Sequence, residues 1–157
     1  MNKIEIEIPE GKKAEWVNSV LTLVDDDVTK RIKTVKDACD ELGEKHPLVT
    51  QYRLSVAAAY IGDPMTEDFI AFLKLRIIAA ALNEGWEPTF EKDEKRWYPW
   101  FTVKQGGLVY ANTGGAGLYS NANNGVRLVF KSRELAEYAG KQFTDIYNDF
   151  CYGRNKL

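Results

Sequence analysis

Arg96, Trp97, Tyr98, Trp100, Phe101 and Lys104 set rings and cations side by side within nine residues. Three of the four tryptophans lie between Trp86 and Trp100, and the sixteen residues 86–101 hold six aromatics, two prolines and seven charges. Rings beside cations suit one kind of chemistry above others, the stacking of flat or unpaired bases with phosphates held nearby. In an extended chain alternate residues share a face, so Arg96, Tyr98 and Trp100 project together while Trp97 and Phe101 turn away. Arg127, Lys131 and Arg133 come from the next β-like segment and the helix start after it. In an antiparallel sheet they fall near the same face. The binding residues read from sequence are therefore Arg96, Tyr98, Trp100, Lys104, Arg127 and Lys131. The competing reading is that the same tryptophans clamp the sheet onto the last helix.

Other chemistries find less material. Gly114-Gly115-Ala116-Gly117 lacks the Gly-Lys-Ser/Thr ending of a phosphate loop and the strand–turn–helix setting of a dinucleotide fingerprint. It reads as a flexible hairpin tip. The chain has one histidine, His46, placed to cap or decorate a helix entrance, and no nucleophile elbow. Cys39 and Cys151 are isolated, and Asp25-Asp26-Asp27 offers three consecutive carboxylates that do not easily converge on one ion. An Asp/Glu acid–base pair is open in principle, but no pair stands out. The expectation is a non-catalytic protein with no cofactor and no metal.

The overall charge of −2 is unevenly spread. Residues 1–94 carry 12 Lys/Arg against 19 Asp/Glu, and residues 95–157 carry 9 against 4. The basic C-terminal third either meets an anionic partner or faces the acidic part of its own chain. A hydrophobic content of 45% supports a real core, and 157 residues suit one domain. Two unpaired cysteines, no signal-like N-terminus and no apolar run of spanning length point to the cytoplasm and away from the membrane.

The elements that must position these residues follow from periodicity. Ile4, Ile6 and Ile8 alternate with charges as in a half-buried strand, and Trp16-Val17 and Val20 to Val24 flank a turn at Asn18-Ser19. Val28, Ile32, Val35, Cys39 and Leu42 recur at helical spacing up to Gly43. Pro47 opens a second helix and Thr66 a third, which is apolar nearly all round from Phe69 to Leu82 and so is the central helix. Three β-like pieces follow, Trp97–Val103, Leu108–Ala111 and Val126–Phe130, with a Gly/Asn loop over 112–125. Pro99 confines the first piece to an edge or a bulge. Ser132 caps a last helix whose stripe is Leu135, Tyr138, Ala139, Phe143, Ile146, Tyr147 and Phe150.

The fold class is thus α+β in a single domain over 1–157. Strands occupy 1–24, a three-helix layer 27–84 and an aromatic-rich β region 86–130. A small, mainly antiparallel sheet is closed by one long C-terminal helix over 132–152.

The segments Leu82–Pro88, Tyr98–Phe101, Arg127–Ser132 and Leu135–Phe143 resemble a family of small proteins encoded by phages, prophages and mobile elements of gut anaerobic bacteria. The likeness is strongest from about Leu73 to Phe150. No activity, cofactor or catalytic residue is assigned in that family, so it implies only a setting, that of an accessory protein. Two partner classes follow as expectations. One is single-stranded nucleic acid on the aromatic–basic face. The other is a phage or host protein, or a second copy of the chain.

Overall fold

Among the described residues, six helices and two antiparallel hairpins build an α+β fold in the computed structural model. The structure describes residues 6–17, 19–58, 64–89, 91, 94–116 and 127–153.

The first hairpin pairs β1 (Lys12–Val17) with β2 (Val20–Asp25), with Trp16 opposite Leu21 and Val17 opposite Val20. Ser19 takes the left-handed conformation at φ 66° in the turn between them. Residues 6–9 form no strand, and Ile6 and Ile8 are exposed. This corrects the N-terminal strand read from the Ile alternation. Residues 1–5, where Ile4 falls, lie outside the described residues. A turn closed by Lys12 N–H on the Pro9 carbonyl, with Gly11 at φ 74°, separates residues 6–8 from β1.

The helix expected over 28–42 is two helices, α1 (Val28–Arg31) and α2 (Val35–Leu42). A capping box missed in sequence causes the break. Thr34 Oγ accepts from Asp37 N, while the Asp37 carboxylate accepts from Thr34 N and Lys33 N. α3 (Pro47–Ala58) starts at its proline, and His46 Nδ1 accepts from Leu48 N at 3.2 Å, so the histidine caps it. α4 (Pro64–Asn83) is the central helix, with Leu73, Leu75, Ile77, Ile78, Ala81 and Leu82 buried.

The second hairpin pairs β3 (Arg96–Lys104) with β4 (Gly107–Ala116). Of the third β-like piece, Val126 lies outside the described residues, and residues 127–130 form one bridge, Trp97 to Phe130. Trp97 N–H reaches Phe130 O at 3.1 Å, and Phe130 N–H returns to Trp97 O at 2.8 Å. The next residue of β3 facing that side is Pro99, which has no N–H, so the ladder stops. Phe130 is buried in the main core with Ile32, Val49, Ile78, Leu82 and Ala136.

The C-terminal helical segment is broken at Phe143 into α5 (Arg133–Gln142) and α6 (Thr144–Tyr152). Thr144 Oγ1 donates to Gly140 O at 2.6 Å, taking a carbonyl that a continuous helix would give to a backbone N–H. Ser132 caps α5 as expected, its hydroxyl accepting from Leu135 N. α5 lies on β3 and β4 at Gly140, where a Cβ would stand 2.6 Å from Pro99 Cβ and 2.7 Å from Tyr110.

Candidate functional site

The six residues read from sequence do not converge. Tyr98 and Trp100 do share a face of β3, with ring centroids 5.6 Å apart, and Trp100 is 50% exposed. They lie over β4. A Cβ at Gly114 would fall 2.2 Å from Trp100 Nε1 and 3.1 Å from Tyr98, and one at Gly115 would fall 3.2 Å from Trp97. The two glycines are therefore strand residues that let rings lie on the backbone, and the strand runs on to Ala116. This corrects the hairpin-tip reading of Gly114-Gly115 and the start of the loop at 112. Residues 117–125 of that loop lie outside the described residues.

The cations part company. Arg96 is buried at the start of β3. Lys104 is exposed at the far end of the same strand, beside the Gln105-Gly106 turn. Arg127 is exposed beside the buried Leu128. Lys131 points elsewhere, with its Nζ 3.0 Å from Glu84 Oε2. Arg133, weighed beside them, sits over the Trp97 ring at 5.9 Å and approaches Asn112 Oδ1 at 3.5 Å. Trp97 is partly buried and packs against the main core, whose members include Leu135, Ala136 and Ala139 of α5.

Glu84 gathers three cations just past the end of α4, at φ 49°. Lys13 Nζ, Arg31 Nη2 and Lys131 Nζ lie 3.0, 2.9 and 3.0 Å from its oxygens. Burial pushes the Glu84 carboxyl upward, but hydrogen bonds from Arg31, Lys13 and Lys131 outweigh it and hold the group at about 2. Arg31 also pairs with Glu41 at 2.7 Å and donates from Nη1 to the carbonyls of Asp25 and Asp26. The arrangement thus ties α2, α4 and the base of the first hairpin together.

Beyond that base the first hairpin projects. Register pairs put Ala14, Trp16, Leu21 and Leu23 on one face. Trp16 is 74% exposed, more than any other large apolar side chain among the described residues, and Leu21 and Leu23 are exposed beside it. Among the described residues no backbone hydrogen bond joins the outer edges of β1 or β2 to another element beyond the turns at their base. Sequence reading placed this hairpin and its turn but not its exposure. The signal was present in Trp16, Leu21 and Leu23, which share a face once the Asn18-Ser19 turn fixes the register.

Material for acid–base or metal chemistry stays dispersed. The carboxyls with resolved shifts, Asp27, Asp37, Glu84 and Glu134, all move down, opposite to a proton donor's need. Burial pushes the thiols of Cys39 and Cys151 up, away from the reactive thiolate. Among the described residues no three His, Cys, Asp or Glu side chains gather as metal ligands would, and no helix is long and apolar enough to cross a membrane. No protein-family model, curated protein or solved structure matches the chain.

Proposed function

We propose that the protein is a non-catalytic binding module that captures an extended strand of another protein along its β1–β2 hairpin. The observation that carries this reading is Trp16, 74% exposed on an apolar face whose strand edges are open. An incoming strand gains main-chain hydrogen bonds along an open edge, and its alternate side chains meet the apolar face. Ion pairs Lys12–Asp25 and Lys13–Glu15 leave the hairpin nearly neutral, which suits a peptide better than a polyanion. The ties from Arg31 and Lys13 fix the hairpin base, so less order is lost on binding. In the phage or mobile-element setting that the resemblance implies, the partner is a phage or host protein.

Photo-crosslinking from position 16, with position 36 as an exposed control, tests the proposal. Any protein crosslinked only from position 16 is purified and titrated with the wild-type chain and with Trp16→Ala. The reading expects binding little altered by salt and weakened at least tenfold by Trp16→Ala. Equal capture from both positions, or unchanged binding by Trp16→Ala, overturns it. A crosslink between two copies redirects the proposal to self-association.

Single-stranded nucleic acid is the second reading, favoured by the pairing of half-buried Tyr98 with exposed Trp100. It predicts tryptophan quenching by a short oligonucleotide that fades steeply as salt rises and is lost in Trp100→Ala. Unchanged fluorescence at low salt removes it.

A further inference from the structure

Along the first hairpin, residues whose backbone pairs inward alternate with residues whose backbone points to an edge. Asp26 N–H donates to Gly11 O at 3.0 Å at the base, and the two-residue turn closes on the Val17–Val20 pair. The hydrogen-bonded pairs are therefore Lys13–Val24, Glu15–Thr22 and Val17–Val20, and Lys12, Ala14 and Trp16 turn their N–H and C=O groups to the outer edge of β1. On β2 the outward residues are Leu21, Leu23 and Asp25. That edge is hindered at its base, where α1 lies against β2 and Arg31 Nη1 donates to the Asp25 carbonyl. On β1 the one outward group engaged among the described residues is the Lys12 N–H, which donates to Pro9 O at 3.1 Å. Two charges stand on the face of β1 away from Trp16. Lys13 Nζ lies 2.7 Å from Glu15 Oε1 and 3.0 Å from Glu84 Oε1. Ala14 lies between these two in sequence and shares the apolar face with Trp16.

We infer that the captured strand runs antiparallel along the β1 edge and carries a basic, a large β-branched and an acidic residue in that order. The inference rests on the strand-capturing reading above and names the partner's chemistry. Antiparallel pairing sets the basic residue opposite Glu15 and the acidic one opposite Lys13. Opposite charges facing each other across strands attract, and like charges repel. The middle residue falls opposite Ala14, whose small side chain leaves room on the apolar face for a Val or Ile to reach Trp16 diagonally. Lys13 is already anchored to Glu84, so its charge is in place before the strand arrives. The order of the partner's two charges, and not their sum, thus sets the direction and register of the strand.

The probes are two labelled cyclic β-hairpin peptides of identical composition, one presenting Thr-Arg-Val-Glu-Thr on its outer strand and the other Thr-Glu-Val-Arg-Thr. Each is titrated with the full chain and followed by fluorescence anisotropy. The wild type is expected to bind the Arg-Val-Glu peptide about tenfold more tightly than its reverse. Glu15→Lys should bring the two peptides within about twofold of each other, and Glu15→Gln, a milder change, should narrow the preference. Trp16→Ala should weaken both peptides alike and keep the preference, which reports on the strand-capturing reading itself. Equal binding of the two peptides by the wild type, a preference for Glu-Val-Arg, no binding of either, or a preference kept in Glu15→Lys overturns the inference. If one of these results stands beside a protein captured from position 16 and lost in Trp16→Ala, the hairpin remains a binding surface and only the assigned edge and charge order fall.

Discussion

Arg31 and Glu84, 53 positions apart in sequence, meet at 2.9 Å where the first hairpin joins the helical body. The contact turns a two-stranded hairpin, marginal alone, into a fixed projection. It also makes part of the fold's stability dependent on one carboxylate.

Glu84 lies below its ordinary range in the folded chain, at about 2 against 4.5. A depressed carboxyl contributes stability that is complete above pH 4.5 and is lost as pH falls through about 2. Glu84→Gln is therefore expected to cost about 2 kcal/mol at pH 7, after allowing for the group's partial exposure. The gap between variant and wild type should close as pH falls from 4.5 toward 2. Urea unfolding across that range is the check, and parallel pH profiles would refute the role given to Glu84.

Asn83 acts beside it by a different means. Its buried amide donates to Val129 O and accepts from Lys131 N, both at 2.9 Å, and so holds the segment that brings Phe130 into the core. Asn83→Ala strands a buried carbonyl and an N–H together, for a cost of about 2–4 kcal/mol. Asn83→Asp is expected to be similar, because a carboxylate cannot donate to Val129 O. Chemical denaturation gives the loss, and hydrogen exchange should show a faster Lys131 amide. A near-neutral Asn83→Ala would contradict the arrangement.

Two glycines give a contrast that ordinary propensity reverses. Ala normally stabilises a helix by about 1 kcal/mol over Gly. Gly140→Ala is nonetheless expected to destabilise by about 1–3 kcal/mol, since its Cβ would sit 2.6 Å from Pro99 within a packed interface. Gly114→Ala is expected to cost less, because the Trp100 ring it meets is half exposed and free to swing. The variant should instead shift tryptophan emission. Measured stabilities in the opposite order would show that α5 does not approach the hairpin as described.

The sequence carried the α+β class because its strongest signals are local. The Asn18-Ser19 turn, the Pro47 helix start, the all-round apolar run of α4 and the Ser132 cap each depend on a few neighbouring residues. The breaks were harder to read. Thr34 and Thr144 interrupt helices whose apolar stripes continue across them, so periodicity ran straight through. Gly114 and Gly115 resemble turn glycines until the rings of Trp97, Tyr98 and Trp100 are seen lying over them. The dispersal of the basic residues was illegible for a plainer reason. Lys131 is drawn to Glu84 and Arg133 to Trp97 by contacts between residues 36 to 47 positions apart, which no local pattern encodes.

The central claim, that the first hairpin projects an open aromatic face, is tested most directly by acrylamide quenching of tryptophan emission in the wild type and in Trp16→Phe. Trp16 should supply the most accessible and most red-shifted fraction, so its replacement should remove the steepest part of the quenching curve and move the remaining emission to the blue. If Trp16→Phe leaves both the curve and the emission maximum unchanged, Trp16 is buried and the hairpin is not the binding surface.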